Sequence, residues 1–129
     1  MTPDQLADRL EAAAHRIGPA ITHSVEHAAE LGRAQIKGHA SGRPGPNVIT
    51  GQYRNSWQIE TRRLPHGAQC TIGTMEPYGR RLEFGFIGMT DSLGRTFHQP
   101  PYPHVQPSLP AITAALRFGM LSAVAEVLR

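Results

Sequence analysis

Two histidines, His23 and His27, are the residues best suited to metal chemistry in this 129-residue chain, and they lie four apart in the sequence. On a helix that spacing places both rings on one face. A zinc-protease helix carries Glu directly after its first His, whereas here Glu26 stands directly before the second His. No third ligand is evident in the sequence. The pattern therefore predicts solvated histidines on a helix surface and no metal site.

Residues for nucleophilic or acid–base catalysis are sparse. The sequence has neither a Gly-x-Ser-x-Gly turn nor a Gly-rich loop followed by Lys and Ser or Thr, and Ser56 has no obvious base partner. Paired-carboxylate chemistry needs two acids that converge on one site. Between the two end helices the acids are Glu60, Glu76, Glu83 and Asp91. We predict that the chain is not an enzyme and needs no cofactor. A small hydrolase built around Glu83 and a histidine is an alternative.

A basic cluster occupies residues 33–63, where Glu60 is the one acid. Its members are Arg33, Lys37, Arg43, Arg54, Arg62 and Arg63. Tyr53 and Trp57 are interleaved with them, and such a mixture can grip a nucleic-acid backbone and stack on its bases. A nucleic-acid-binding module using the 33–63 surface is therefore one hypothesis. The interpretation that we favour places Trp57 in the core and Arg43 against an acidic partner.

The composition is that of a globular chain, with 40% hydrophobic and 18% charged residues and a net charge of +3. A charge this small does not by itself identify a nucleic-acid binder. The length predicts a single domain over residues 1–129. Cys70 is the lone cysteine, so an intrachain disulfide is excluded, and it suits a small buried position in a strand. No stretch approaches the roughly 20 apolar residues of a membrane span, so we predict no membrane partner.

The N-terminal segment predicts a long helix over residues 2–37. Thr2 is a candidate N-cap, and Gln5 occupies the capping-box position three residues later. The Gly18-Pro19 pair predicts a kink or a break, because Pro19 cannot donate its backbone hydrogen bond. Apolar residues recur at spacings of three and four along the segment, which predicts one narrow packing stripe.

The rest of the chain predicts a small sheet, two loops and a final helix. Gly and Pro mark residues 38–49 and 87–106 as loops. Alternating apolar residues predict a hairpin within a sheet region at 50–86, which ends in a short helix or a third strand. The C-terminal helix covers residues 107–128, with Ser108 as a candidate cap. The predicted class is α+β, with a long N-terminal helix and a C-terminal helix packed on a small antiparallel β-sheet.

Three separated phrases combine Gly or Pro with aromatic, basic and polar residues. They read Thr50-Gly51-Gln52-Tyr53-Arg54-Asn55-Ser56-Trp57, then Tyr78-Gly79-Arg80-Arg81-Leu82-Glu83-Phe84-Gly85-Phe86, then Pro100-Pro101-Tyr102-Pro103-His104-Val105-Gln106-Pro107-Ser108-Leu109-Pro110. Such mixtures are typical of segments that fix loops and make contacts. They do not indicate bond-breaking chemistry.

In order and spacing, the phrases resemble a family of tailed-phage proteins. These are the small neck, head–tail joining or tail-completion proteins, often termed minor tail proteins, of phages with long non-contractile tails. In that family a T-G-x-L-R-x-S phrase follows a long helix and a flexible loop. An aromatic and a small residue then precede hydrophobe-Glu-aromatic-Gly, and a Pro-rich approach leads to the last helix. Here Tyr53 replaces the usual Leu and Gly79 a common Ala. The resemblance covers roughly residues 5–127.

The resemblance implies a structural virion protein that forms a ring of six subunits at the neck, needed for head–tail joining or tail completion. Its partners would be other copies of itself and the adjacent neck and tail proteins, with DNA passing through the channel without sequence-specific binding. The protein would be assembled in the host cytoplasm and reside in the neck or tail region of the virion. A tail terminator ring at the top of the tail tube is the alternative within the same class.

Site residues follow from the three phrases and the basic cluster. Predicted subunit or ring–ring interface residues are Arg43, Tyr53, Arg54, Arg80, Arg81, Glu83, Phe97, Tyr102 and His104. Predicted structural residues are Gly51, Trp57, Gly85, Pro103 and Pro107. Glu83 stands beside Arg80 and Arg81, with which it can form charge-assisted bonds either within or between subunits. We expect the Pro-rich segment 97–106 to be a stiff arm that docks on an adjacent ring.

Overall fold

The computed structural model describes residues 1–90 and 92–129, apart from the side chains of Ile87, Met89 and Phe97. The elements in chain order are α1 (Pro3–His39), α2 (Gln52–Asn55), β1 (Gln58–Leu64), β2 (Gly67–Gly73), α3 (Gly79–Phe84), β3 (Phe86–Thr90), β4 (Thr96–Gln99) and α4 (Leu109–Val127). A 3-10 turn, Gln106–Ser108, leads into α4. Long helices at both ends and small antiparallel sheets between them confirm the predicted α+β class.

Helix α1 begins as the sequence predicts. The Gln5 N–H donates to Thr2 Oγ1 at 3.1 Å, and the Thr2 N–H donates to Gln5 Oε1 at 2.9 Å, which completes a capping box. The prediction at Pro19 was a kink or a break, and the break is wrong because the helix continues through Pro19. Pro19 removes one helical hydrogen bond, but the adjacent Gly18 is buried against the turn at His66. Tertiary packing therefore keeps the helix continuous where local propensity opposes it.

Helices α1 and α4 pack antiparallel along most of their length. Ser24 Oγ donates to the Gly119 carbonyl at 3.0 Å, and Arg16 Nη2 donates to the Val127 carbonyl at 2.8 Å. Close approach depends on small residues, since a Cβ on Gly32 would lie 3.0 Å from a methyl carbon of Ile112 in α4. The buried apolar residues are correspondingly small, with Ile36 and Trp57 as the large exceptions: Ala13, Ala28, Ala29, Ile36, Ala40, Trp57, Ala123 and Val127.

The outer face of α4 is apolar and open. Phe118 is 74% exposed and Leu121 65% exposed, although both belong to a helix that is hydrophobic all round. By length and composition the span Gln106–Val127 is apolar enough to cross a membrane, a property that many core helices share. This differs from the sequence analysis, in which no stretch approached that length.

The central residues form two separate antiparallel hairpins. Strands β1 and β2 pair from Gln58↔Gly73 to Leu64↔Gly67, which confirms the predicted hairpin. The short helix α2 precedes it where the prediction had sheet. Strands β3 and β4 pair within 87–106, so the predicted loop there is wrong. Gly94 lies in the turn between the strands and the prolines follow β4, but Gly88 lies within β3 itself. The Gly and Pro content of the region therefore did not indicate the two short strands.

Candidate functional site

A buried carboxylate, Glu83, joins α3 to the start of α4. Its Oε2 accepts the backbone N–H groups of His104 at 2.8 Å and Val105 at 3.0 Å, and its Oε1 accepts that of Gln106 at 2.9 Å. These N–H groups open the turn that becomes α4, where a negative charge is favoured. Ser108 makes no side-chain cap bond, contrary to prediction. Its hydroxyl donates instead to the His104 carbonyl at 2.7 Å, so the cap is Glu83, from a distant helix.

His104, which has no exposed surface, continues this network. Its Nδ1 lies 3.0 Å from Glu83 Oε2 and 2.9 Å from the Tyr102 carbonyl oxygen. Both neighbours are acceptors, so Nδ1 carries a proton. In the neutral imidazole Nε2 then accepts a hydrogen bond from the Tyr53 hydroxyl, whose oxygen is 2.5 Å away. The result is a continuous carboxylate–imidazole–phenol network, which we call the Glu83–His104–Tyr53 clamp.

Burial and charge fix the protonation of both ends of the clamp. Desolvation raises the pKa of Glu83, but the backbone N–H groups of residues 104–106 and the nearby His104 ring together lower it below its usual range. Burial, followed by the negative charge of Glu83, raises the pKa of Tyr53 well above its usual range. Near neutral pH the carboxylate is therefore an acceptor and the phenol a donor.

The clamp links a carboxylate, an imidazole and a hydroxyl in the same order as a catalytic triad, but its geometry indicates a structural role. A triad base must reach a reacting group, and the His104 imidazole is fully buried. Both carboxylate oxygens of Glu83 already serve backbone N–H groups. A raised pKa makes the Tyr53 hydroxyl a poor nucleophile. What this arrangement can do is hold α2, α3 and the start of α4 in one orientation.

Several predicted interface residues take part in this interior network instead. Glu83 and His104 are buried, which places them inside the subunit and away from its surface. Among the described contacts, Glu83 bonds to backbone N–H groups and His104, and bonds to Arg80 and Arg81 within the subunit are not formed. Arg80 is exposed, and the Arg81 guanidinium carbon lies 5.9 Å from the centre of the Phe86 ring.

The Pro-rich segment packs against its own subunit. The Tyr102 N–H donates to the Leu82 carbonyl at 2.7 Å, and His104 follows directly in the interior. Pro103 is half-buried, and Pro107 lies in the 3-10 turn before α4. The segment from 100 to 105 is therefore a strap across α3 and not the projecting arm that we expected. Phe97, the predicted anchor of that arm, has a side chain outside the described part of the structure.

Two glycines shape the chain around the clamp. Gly85 ends α3 with φ of 71°, and a Cβ there would lie 2.6 Å from the Gln99 carbonyl oxygen. Gly51 precedes α2 with φ of 83°, a left-handed conformation that side chains disfavour. The chain can thus turn into α2, which directs Tyr53 towards His104. Trp57 is 8% exposed and packs edge-on against His104, so it belongs to the core as we favoured.

A surface groove of about 560 Å³ lies beside the clamp. Arginine and tyrosine side chains line it together with the apolar end of the 38–49 loop: Arg43, Val48, Ile49, Tyr53, Arg54, Tyr78 and Tyr102. The guanidinium carbon of Arg43 stands 3.6 Å from the centre of the Tyr102 ring, a cation–π contact. Four predicted interface residues meet in this groove, which we call the Arg–Tyr groove: Arg43, Tyr53, Arg54 and Tyr102.

Sequence reasoning missed part of the groove. The 38–49 loop prediction gives no role to Val48 and Ile49, although two adjacent β-branched apolar residues in a Gly/Pro-rich loop are a signal for contact. Ile49 is 93% exposed. Tyr78 was assigned to the second phrase without a partner, and it packs 5.4 Å from Tyr53 between ring centres.

The remaining basic residues do not extend the groove into one continuous surface. Arg33 pairs with Glu30 at 2.8 Å, and Arg63 pairs with Glu26 at 3.2 Å. His23 and His27 are exposed on α1, as the spacing predicted. Within the described residues no three His, Cys, Asp or Glu side chains are arranged to hold a metal ion.

Comparison with protein-family models, curated proteins and solved structures found no match to this chain. Any functional assignment therefore depends on the residues and the geometry given above.

Proposed function

We propose that this chain is a structural virion protein of a tailed phage. In this proposal it is a ring subunit at the neck, at the junction of head and tail, and it is needed for head–tail joining or tail completion. It acts by contact and carries out no catalysis. The ring would assemble from copies of this chain and would contact neighbouring neck and tail proteins.

The observation that carries the proposal is the convergence of the three phrases on which the resemblance depends. Tyr53 and Trp57 come from the first phrase, Glu83 from the second and His104 from the third. Tyr53, Trp57 and His104 pack against one another, and Glu83 bonds to His104. Residues from all three phrases thus share one buried network, which supports the interpretation of the phrases as one structural unit.

The surface of the subunit supports assembly. The outer face of α4 exposes Phe118 and Leu121, and a neighbouring subunit in a ring would cover such a face. The Arg–Tyr groove supplies a second, charged contact surface on another part of the molecule. Two dissimilar surfaces are what head-to-tail assembly requires.

The test is deletion of the gene in the phage that encodes it, followed by electron microscopy of the lysate. We expect DNA-filled heads and separate tails, and joined particles once the wild-type gene is supplied in trans. Tails of irregular length would assign the protein to a tail terminator ring instead. Normal yields of joined, infectious particles without the gene would refute the proposal.

A further inference from the structure

The Arg–Tyr groove carries two positive charges that lack a counter-ion among the described residues. Arg43 lies over Tyr102 and donates to the Gly45 carbonyl at 3.3 Å, and Arg54 donates to the Ser41 hydroxyl at 3.4 Å. All of these partners are neutral. Two arginines outside the groove, Arg33 and Arg63, pair with carboxylates of their own subunit, whereas Arg9 and Arg16 bond to backbone carbonyls. What distinguishes the groove is that two guanidinium groups, unpaired with any carboxylate among the described residues, line one cavity, which can accept carboxylates from outside the subunit.

The shape of the groove favours a protein segment over a nucleic acid. Val48 and Ile49 form an apolar lip at the edge of the groove. Val48 is 40% exposed and Ile49 is 93% exposed. Single-stranded nucleic acids bind by stacking bases on open aromatic faces. Here Arg43 already covers the face of Tyr102, and Tyr53 is packed among Trp57, Tyr78 and His104. Carboxylates next to small apolar side chains match this surface better than bases do.

The opposite end of the same subunit presents such a surface. Every residue from Met1 to Ala12 is exposed, so the first turns of α1 form an acidic arm, defined as residues 3–12. Asp4, Asp8 and Glu11 follow at spacings of four and three, which aligns their carboxylates along one side of the helix. None of the three pairs with a cation among the described ion pairs.

The carboxylate row of the arm faces away from its own subunit. Leu6 and Leu10 lie on the other side of the helix, where they line a small cavity with Val127 and Leu128 at the end of α4. The carboxylates are therefore free for an external contact. Ala7 and Ala12 lie beside the carboxylate row on the helix surface, and their small side chains leave room for the apolar lip of a groove.

We propose that the acidic arm of one subunit docks in the Arg–Tyr groove of the next copy of this chain. The inference rests on the proposed ring function and names the contact that would link the subunits. Helix α1 has 37 residues and is about 55 Å long at 1.5 Å per residue. The groove lies at its far end, beside Ala40. Arm and groove of one subunit are too far apart to meet, so the contact is head-to-tail.

The experiment uses two charge-reversed versions of the full chain. The groove variant is Arg43→Glu/Arg54→Glu, and the arm variant is Asp8→Arg/Glu11→Arg, which leaves the capping box intact. Sedimentation velocity over a concentration series at about 50 mM salt should show that the wild type associates, and at about 0.5 M salt the association should weaken because exposed charges are screened. Each variant alone should associate at least about tenfold more weakly.

An equimolar mixture of the two variants provides the decisive measurement. The acidic arm of the groove variant then meets the basic groove of the arm variant, and the basic arm meets the acidic groove, so association should return. A control variant, Arg62→Glu/Arg63→Glu, has the same net charge as the groove variant at exposed positions of β1, away from arm, groove and α4, and it should associate like the wild type. Circular dichroism confirms that each variant is folded.

Two results would overturn the inference: a wild type that stays monomeric throughout, or a mixture that associates no better than its components. Either result leaves the gene-deletion experiment untouched, because a ring subunit joined by another contact would still be needed for head–tail joining. A dispensable gene, in turn, would refute the proposed function even if the arm and groove bind in solution.

Discussion

Replacing Glu83 with Gln should destabilise the protein strongly, although it preserves size and shape. The amide oxygen of Gln can replace one carboxylate oxygen, but the amide nitrogen must then face a backbone N–H such as that of Gln106. A buried donor without an acceptor costs about 1–3 kcal/mol. Loss of the negative charge at the start of α4 adds about 0.5–1 kcal/mol. We therefore expect a loss of about 1.5–4 kcal/mol in the free energy of unfolding.

Urea-induced unfolding, followed by the fluorescence of the single tryptophan, Trp57, measures this loss. Trp57 packs against His104, so its signal reports on the clamp itself. The matched control is Glu60→Gln, the same chemical change at an exposed position of β1, which should alter stability by less than about 0.5 kcal/mol. If Glu83→Gln were as mild as this control, with an unchanged denaturant slope, the clamp would not be the structural device that we describe.

Repeating the unfolding experiment at several pH values tests the ionisation of Glu83. The folded-state pKa of Glu83 is lowered, whereas the unfolded value is about 4.3. Its contribution is therefore fully present above the unfolded pKa and is lost as the pH falls through the folded pKa. The stability difference between wild type and Glu83→Gln should be constant above about pH 5 and should shrink at lower pH. A difference that grew on acidification would contradict the assignment of an ionised, hydrogen-bonded carboxylate.

Three further substitutions test the surroundings of the clamp. Tyr53→Phe should cost about 1 kcal/mol in unfolding free energy by leaving His104 Nε2 without its donor, and in a spectrophotometric titration it should remove a phenol that ionises above the usual pKa of about 10. Gly85→Ala should lower the melting temperature, since its φ is 71° and its Cβ would contact a carbonyl, whereas Gly73→Ala, in open space at the end of β2, should have a much smaller effect. Gly38→Ala, near the end of α1 with nothing in contact, should stabilise the protein by up to about 1 kcal/mol, and a loss of stability in the same thermal scan would contradict the helical assignment there.

Features specified by neighbouring residues could be predicted from the sequence. The Thr2–Gln5 capping box, the β1–β2 hairpin and the C-terminal helix all follow from spacing over a few residues. The continuity of α1 through Pro19 could not be predicted in this way, because it depends on packing against a turn far along the chain. The same holds for the cap of α4. Ser108 is the local candidate, but the acceptor is Glu83, more than 20 positions upstream of the N–H groups it serves.

Several residues of the candidate site were named from the sequence, but their arrangement was not predicted. Arg43, Arg54 and Tyr102 were expected at an interface, and they do line one groove. Glu83 and His104 were expected at the same kind of surface, and they lie inside. The groove residues and the two buried residues all come from Gly/Pro-rich segments that contain charged and aromatic residues, so composition does not distinguish them. What separates them is whether backbone N–H groups from elsewhere in the fold converge on the side chain.

The clamp also closes the base of the β3–β4 hairpin. The chain leaves α3 at Gly85 and returns at Tyr102, whose N–H is bonded to Leu82, so both ends of residues 86–101 are anchored at nearly the same place. A segment tied at its base can change length without moving what lies outside it, because lengthening an already closed loop adds little entropy cost. Insertions or deletions in this hairpin should thus be tolerated by the two-helix body. The protein could acquire new contact specificity there while its core sequence stays fixed.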